Sequence, residues 1–173
     1  MENNVYGIPV ISRILRALIV DDYATAIELV TDKGFDPNEK SVSTGMPVVS
    51  AVINLFGNLS KVEDKNSFKT ILNEVVKHPN FDPNVADKYG ETVLMHIAKH
   101  KDFNWLLPFV LAHGSIDYDA KNFMKKDVIK IAESCGNSVF INVILMRKGQ
   151  GSHIGLPKKR VGIKKKMHTV FTL

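Results

Sequence analysis

The sequence predicts an all-α fold of helix pairs stacked side by side and joined by short turns. Three observations predict it. The first is a repeated tetrapeptide, Phe35-Asp36-Pro37-Asn38 and Phe81-Asp82-Pro83-Asn84, with a degenerate third copy at Ile116-Asp117-Tyr118-Asp119. The second is register. Ten residues past each first aspartate an apolar run begins: Met46-Pro47-Val48-Val49-Ser50-Ala51, Thr92-Val93-Leu94-Met95-His96-Ile97 and Asp127-Val128-Ile129-Lys130-Ile131-Ala132. A motif that recurs with its downstream pattern intact marks a repeat architecture. The third is composition: 173 residues, 45% hydrophobic and 24% charged, suffice for one domain with a continuous core.

Four helix pairs follow in order: 8–19 with 22–33, 47–59 with 66–78, 92–100 with 102–113, and 127–134 with 137–147. In the first, Ala26, Ile27, Leu29 and Val30 mark one apolar face. In the second, Pro47 suits a helix start, where its missing amide is not needed. Met46 is a poor cap, which leaves Ser43 or Thr44 for that task. In the third and fourth, Thr92 and Asp127 stand just before apolar runs, where a short oxygen-bearing side chain accepts from the free amides of the first turn. Gly34 and Gly114 follow helical stretches and fit a left-handed helix end. Gly90, after Asp87-Lys88-Tyr89, fits a tight turn. Pro108 is expected to kink the helix over 102–113, and Trp105, with Phe103, Leu106 and Leu107, to lie in the core between pairs. No single pair can bury its apolar face alone, whereas stacked neighbours can.

The pattern Asp82-x-Asn84-x-x-Asp87-x-x-Gly90-x-Thr92-x-Leu94 resembles the ankyrin repeat, a turn followed by T-P-L-H-x-A. The second copy has Val93 and Met95 in place of the proline and histidine. The first keeps Pro47 and Ala51, and the third keeps Ala132. The resemblance covers residues 5–146 and implies an ankyrin-type solenoid over 1–146, followed by a tail over 147–173. Spacing is uneven: 46 residues separate Asp36 from Asp82, and 35 separate Asp82 from Asp117, against an ankyrin period of about 33. The surplus falls between Ala51 and Phe68, around residues 57–66, and reads as a lengthened helix plus a longer surface loop.

In ankyrin stacks the turn tips and first helices form a concave face that recognises proteins. The resemblance carries that role onto Lys40 and Val42, onto Lys88, Tyr89 and Glu91, and onto Asn122, Phe123 and Lys125. His96 takes a variable position expected to face outward. Tyr89 and Phe123 are the aromatic members, the residue type that often dominates interface energies.

Charge is concentrated at one end. Formal net charge is +5, yet residues 147–173 hold eight basic side chains (Arg147, Lys148, Lys158, Lys159, Arg160, Lys164, Lys165 and Lys166) and no acidic one. The rest of the chain has 15 basic against 18 acidic residues. The tail reads as an electrostatic arm for nucleic acid or an acidic protein surface, as a solvated end, or as a nuclear import signal, because Pro157-Lys158-Lys159-Arg160-Val161 is similar to the basic import motif. With Phe171 as its single aromatic residue, it offers little base stacking.

Chemical motifs are few. His96 and His100 share the i, i+4 spacing of a zinc pair, but the glutamate of H-E-x-x-H is missing, so no metal is expected. His78 and His113 lie near helix ends and suit interaction with the last carbonyls. Cys135 is the only cysteine, which excludes an intrachain disulfide and fits a reducing compartment. No phosphate loop, nucleophile elbow or nucleotide fingerprint occurs. No apolar stretch reaches membrane-spanning length and no N-terminal signal is visible. The sequence therefore points to a cytoplasmic protein, nuclear in a cell that has a nucleus, with no cofactor, small-molecule substrate or enzymatic activity. The expected function is an adaptor or inhibitor that engages a protein partner through the concave face and tail, as in proteins that viruses, phages or bacteria direct at a host. The alternative is a structural component of a virion or nucleoprotein particle.

Overall fold

The computed structural model describes residues 9–42, 44–57 and 62–149. Among these, the regular structure is helical apart from one isolated bridge between Lys40 and Pro47. The α-helices are α1 (Val10–Ile19), α2 (Tyr23–Thr31), α3 (Val48–Phe56), α4 (Lys65–Lys77), α5 (Val93–Lys99), α6 (Leu107–Val110), α7 (Val128–Ser134) and α8 (Ser138–Arg147), with a 3-10 helix (Lys101–Leu106) between α5 and α6. None of the described helices is long and apolar enough to cross a membrane.

The helices form two layers. Helices α1, α3, α5 and α7 touch in succession along one layer, while α2, α4, α6 with the 3-10 helix, and α8 form the other. One contiguous apolar core runs between them, from Ile11 and Ile14 through Val52, Phe68, Leu94 and Phe103 to Phe140 and Ile144. Side-chain capping explains four of the eight described α-helix starts. Asp22, Asp64, Asp127 and Asn137 each accept a first-turn amide, from Thr25, from Asn66 and Ser67, from Lys130 and from Phe140 respectively. Helix α1 follows Pro9 and has no cap of its own. Its Ile11 amide instead donates to Glu39 Oε2, 2.9 Å away and 28 residues later.

Several local expectations fail, each for a physical reason. Thr92 holds the N-cap position of α5 with extended backbone, but its side chain is buried and makes no capping bond. Pro47 is the N-cap of α3 rather than its first helical residue, and the Met46 amide donates to Thr44 Oγ1 at 3.3 Å. Ser43 lies outside the described residues. Gly34 and Gly114 are absent from the left-handed residues. At Gly34 the turn is closed by Asp32, whose Oδ1 accepts the Gly34 amide and whose carbonyl accepts that of Phe35. Pro108 does not kink a long helix. It sits in the first turn of α6, where no amide is required, and the preceding residues wind as a 3-10 helix. Trp105 is half-buried against the core, with Lys69 Nζ 5.3 Å from its ring centre. Of the surplus around residues 57–66, residues 58–61 lie outside the described residues; α3 ends at Phe56, Val62 is buried in the core, and α4 begins at Lys65.

The tetrapeptide acquires a mechanism. In each copy the aspartate carboxylate accepts the amide two residues on: Asp36 from Asn38, Asp82 from Asn84, Asp117 from Asp119. The asparagine then reaches the next pair. Asn38 donates to Asn80 O and accepts from the Asp82 amide; Asn84 donates to Ser115 O and accepts from the Asp117 amide. The phenylalanine does likewise. Phe35 packs edge-on against His78, and Phe81 against His113. His78 also accepts the Asn80 amide through Nδ1, and His113 donates through Nε2 to Val76 O near the end of α4, a different helix from the one that precedes it. In the third copy the corresponding residue is Asp119, whose carboxylate receives Lys148 Nζ at 2.6 Å.

Leu94 is 1% exposed. Leu94→Ala should lower unfolding free energy by about 2–5 kcal/mol, as core truncations do. Asn84→Ala removes two hydrogen bonds, to Asp117 N and Ser115 O, at an exposed junction and should lose about 0.5–1.5 kcal/mol. Urea melts of both variants check these values, and an Asn84→Ala curve that overlays wild type would remove the bridge from any structural role.

Candidate binding groove

The site is built on two turns of the same design. In the first, Asp87 Oδ1 accepts the amides of Tyr89 and Glu91 at 2.8 and 2.9 Å, and the Asp87 amide donates to Glu91 O. In the second, 35 residues on, Asn122 Oδ1 accepts the amides of Met124 and Lys126, and the Asn122 amide donates to Lys126 O. The turns lie against one another: the Phe123 amide donates to Tyr89 O at 3.0 Å, and Asn122 Nδ2 to Glu91 Oε1 at 3.1 Å. Lys40 ties in the preceding turn by donating to Ala86 O at 2.7 Å.

Between these turns and helix α5 lies a cavity of about 480 Å3. Its rim carries Tyr89, Phe123 and Met124, which are 53%, 74% and 73% exposed. Its floor is polar: Glu91, His96 and Asn122 are buried, and Lys99 pairs with Glu91. Burial by itself raises the Glu91 pKa, but the hydrogen bonds from Lys99 and Asn122 outweigh it and hold the carboxyl below the ordinary glutamate value. Burial pushes the His96 imidazole below its ordinary value, against the pull of Glu91 and Asp87. His96 Nε2 stands 3.3 Å from Asp87 Oδ2, yet neither atom has an aligned hydrogen bond, and Nδ1 has no partner either.

Six of the nine residues expected to form a recognition face line this one cavity: Lys88, Tyr89, Glu91, His96, Asn122 and Phe123. Lys40, Val42 and Lys125 lie elsewhere on the turns; all three are exposed, and Lys125 takes a left-handed φ of +60°. The outward placement of His96 is corrected, since it is 1% exposed. Helix α5 is wedged between α3 and α7, so its residues from Val93 to Ala98 are all buried. Glu91 and Asn122 are likewise floor rather than tip. His100 is half-buried at the end of α5, and burial lowers its pKa; it does not join His96. Lys99 and Met124 were not anticipated, although Met124 follows Phe123 at an exposed tip.

A second polar centre also escaped the sequence. Asn137 is 1% exposed, and its amide donates to Ile97 O, Ala98 O and Asn104 Oδ1 while Asn104 donates back. It fastens α8 to the end of α5. Cys135, half-buried, closes α7 beside Gly136. Lys158, Lys159, Arg160, Lys164, Lys165 and Lys166 lie outside the described residues.

No family model matches the chain, and no curated protein matches its sequence.

Gly90 adopts φ +76°, and a Cβ there would stand 3.0 Å from the Phe123 ring and 3.3 Å from Asn122 Cα. Gly90→Ala should therefore destabilise the protein by about 1–2 kcal/mol from backbone conformation alone and displace Phe123. Thermal unfolding and the environment of Phe123 by NMR measure the two effects; a Gly90→Ala variant as stable as wild type would show that the turn relaxes freely.

Proposed function

We propose that the chain is a non-catalytic binding module of ankyrin type, an adaptor or inhibitor that engages a protein partner through the groove between its turns and first helices. The observation that carries this reading is the exposed apolar rim of Tyr89, Phe123 and Met124 over a buried polar floor. Exposed aromatic tips beside a concavity are what a partner's side chains desolvate on binding. The register of the tetrapeptides and the pair-to-pair asparagine bridges support the ankyrin-type assignment. Tyr89→Ala and Phe123→Ala should each weaken a purified partner complex by roughly 1–2 kcal/mol or more while leaving the fold unchanged. Isothermal titration with the captured partner tests this, and full affinity in the double variant removes the groove from consideration.

The eight cations of residues 147–173 favour a second activity alongside the first, electrostatic attachment to nucleic acid or to an acidic protein surface. Replacing Lys158, Lys159, Arg160, Lys164, Lys165 and Lys166 by glutamine should abolish any binding to duplex DNA or RNA, and the wild-type affinity should fall steeply with salt. Nucleic-acid affinity that survives the six glutamines and is insensitive to salt defeats this second activity and leaves the groove reading standing.

A further inference from the structure

We propose that Asp87, Glu91 and His96 form a binding site for a divalent transition-metal ion of the zinc class at the floor of the groove. One ligand atom from each residue falls within 4.8 Å of the other two, and all three residues are buried. The turn and the helix supply them from opposite sides: Asp87 and Glu91 from the turn that Gly90 closes, and His96 from the middle of α5.

Two of the three residues, Asp87 and His96, offer atoms that make no aligned hydrogen bond. Asp87 Oδ1 is occupied by the amides of Tyr89 and Glu91, which fix the carboxylate and leave Oδ2 facing inward. Oδ2 has no hydrogen bond, and neither has Nδ1 or Nε2 of His96, although Asp87 is 6% and His96 1% exposed. Buried polar atoms normally find partners; here Oδ2 and Nε2 face each other at 3.3 Å without hydrogen-bond alignment, and Nδ1 makes no hydrogen bond within the protein. The 3.3 Å between Asp87 Oδ2 and His96 Nε2 is the ligand-to-ligand edge of a tetrahedron, which is about 3.3 Å for zinc bonds of about 2.0 Å. One oxygen from each carboxylate and one imidazole nitrogen leave a fourth position for water from the adjoining cavity, which is also the route of entry.

Charge completes the case. Of the two carboxylates, Glu91 is paired with an ammonium, Lys99 Nζ at its Oε2. Lys99 is about one-third exposed on its side chain and can swing into solvent, leaving Glu91 to a divalent ion. Asn122 stays on Glu91 Oε1 as the outer support that holds a ligating carboxylate in place.

Co2+, a spectroscopic substitute for zinc, is titrated into the full-length protein and then displaced with Zn2+. We expect one equivalent with the intense visible absorption of a tetrahedral site. His96→Gln, Glu91→Gln and Asp87→Asn should each abolish that absorption or weaken binding by more than the about 10–100-fold typical of losing an outer partner. Asp87→Asn keeps an oxygen for the turn amides, which preserves the fold. Lys99→Met should tighten binding severalfold, because it removes the competing cation and retains the apolar stem; a purely structural polar cluster predicts no such gain. A tetrahedral spectrum unchanged in His96→Gln would place the metal on other histidines and overturn the proposal. So would the absence of any tetrahedral spectrum in both wild type and Lys99→Met.

Discussion

Every helix pair in this protein has an apolar face that only its neighbour can cover, and the rest of the structure depends on how neighbours are held. Burial supplies the driving force but not the alignment, since apolar contact is non-directional. Direction comes from Asn38 and Asn84. Each uses its carbonyl oxygen to receive one amide of the next pair and its amino group to reach one carbonyl. A side-chain amide offers both a donor and an acceptor. An ionised aspartate has acceptors only, and Asp119, at the equivalent position of the third copy, takes a lysine instead. The Phe–His edge contacts add a second, apolar fastening at the same junctions.

That alignment brings two distant turns to one place. Asp87 and Asn122 shape their own turns by the same hydrogen bonds, and the side-chain atom left over on each meets the groove floor: Oδ2 of Asp87 approaches His96, and Nδ2 of Asn122 binds Glu91. The groove is thus an outcome of turn chemistry and stacking together. A shift of one pair relative to the next would separate Asn122 from Glu91 and Phe123 from Tyr89. The polar floor depends on the apolar layers for its geometry.

Much of the helical order was legible in the sequence, because capping residues and turn motifs act locally. Asp127 caps α7 as its side-chain chemistry dictates, and Gly90 adopts the left-handed turn. Helix-end glycines were less informative. An Asx-type turn by Asp32 closes the end of α2 without a left-handed residue, and the two alternatives look alike in sequence. The residues that line the groove were found because the tetrapeptide register locates turn tips. Their burial was missed because tip and floor alternate within a few residues. His96 carried a signal that could have been used: Val93-Leu94-Met95-His96-Ile97-Ala98 is apolar all round, and a helix without a polar face is an interior helix. A histidine within it must be inside, and a histidine inside needs partners. The acidic groups that face it, Asp87 and Glu91, lie nine and five residues before it and come from a turn that folds back over the helix. Helical spacing alone does not place them there.

The position of α5 explains why such a polar cluster is tolerated where it stands. Helix α5 is an interior member of its layer, touching α3 on one side and α7 on the other, and it also meets the 3-10 helix, while Asn137 fixes its C-terminal carbonyls from α8. Apolar neighbours on both sides hold α5 in place around the unmet hydrogen-bonding capacity of His96 and Asp87. That capacity faces the cavity wall from which an external group can enter, with exposed aromatic tips above it. Stability supplied by the two layers and chemistry supplied by the turns meet at α5, and the groove inherits its rigidity from the first and its polarity from the second.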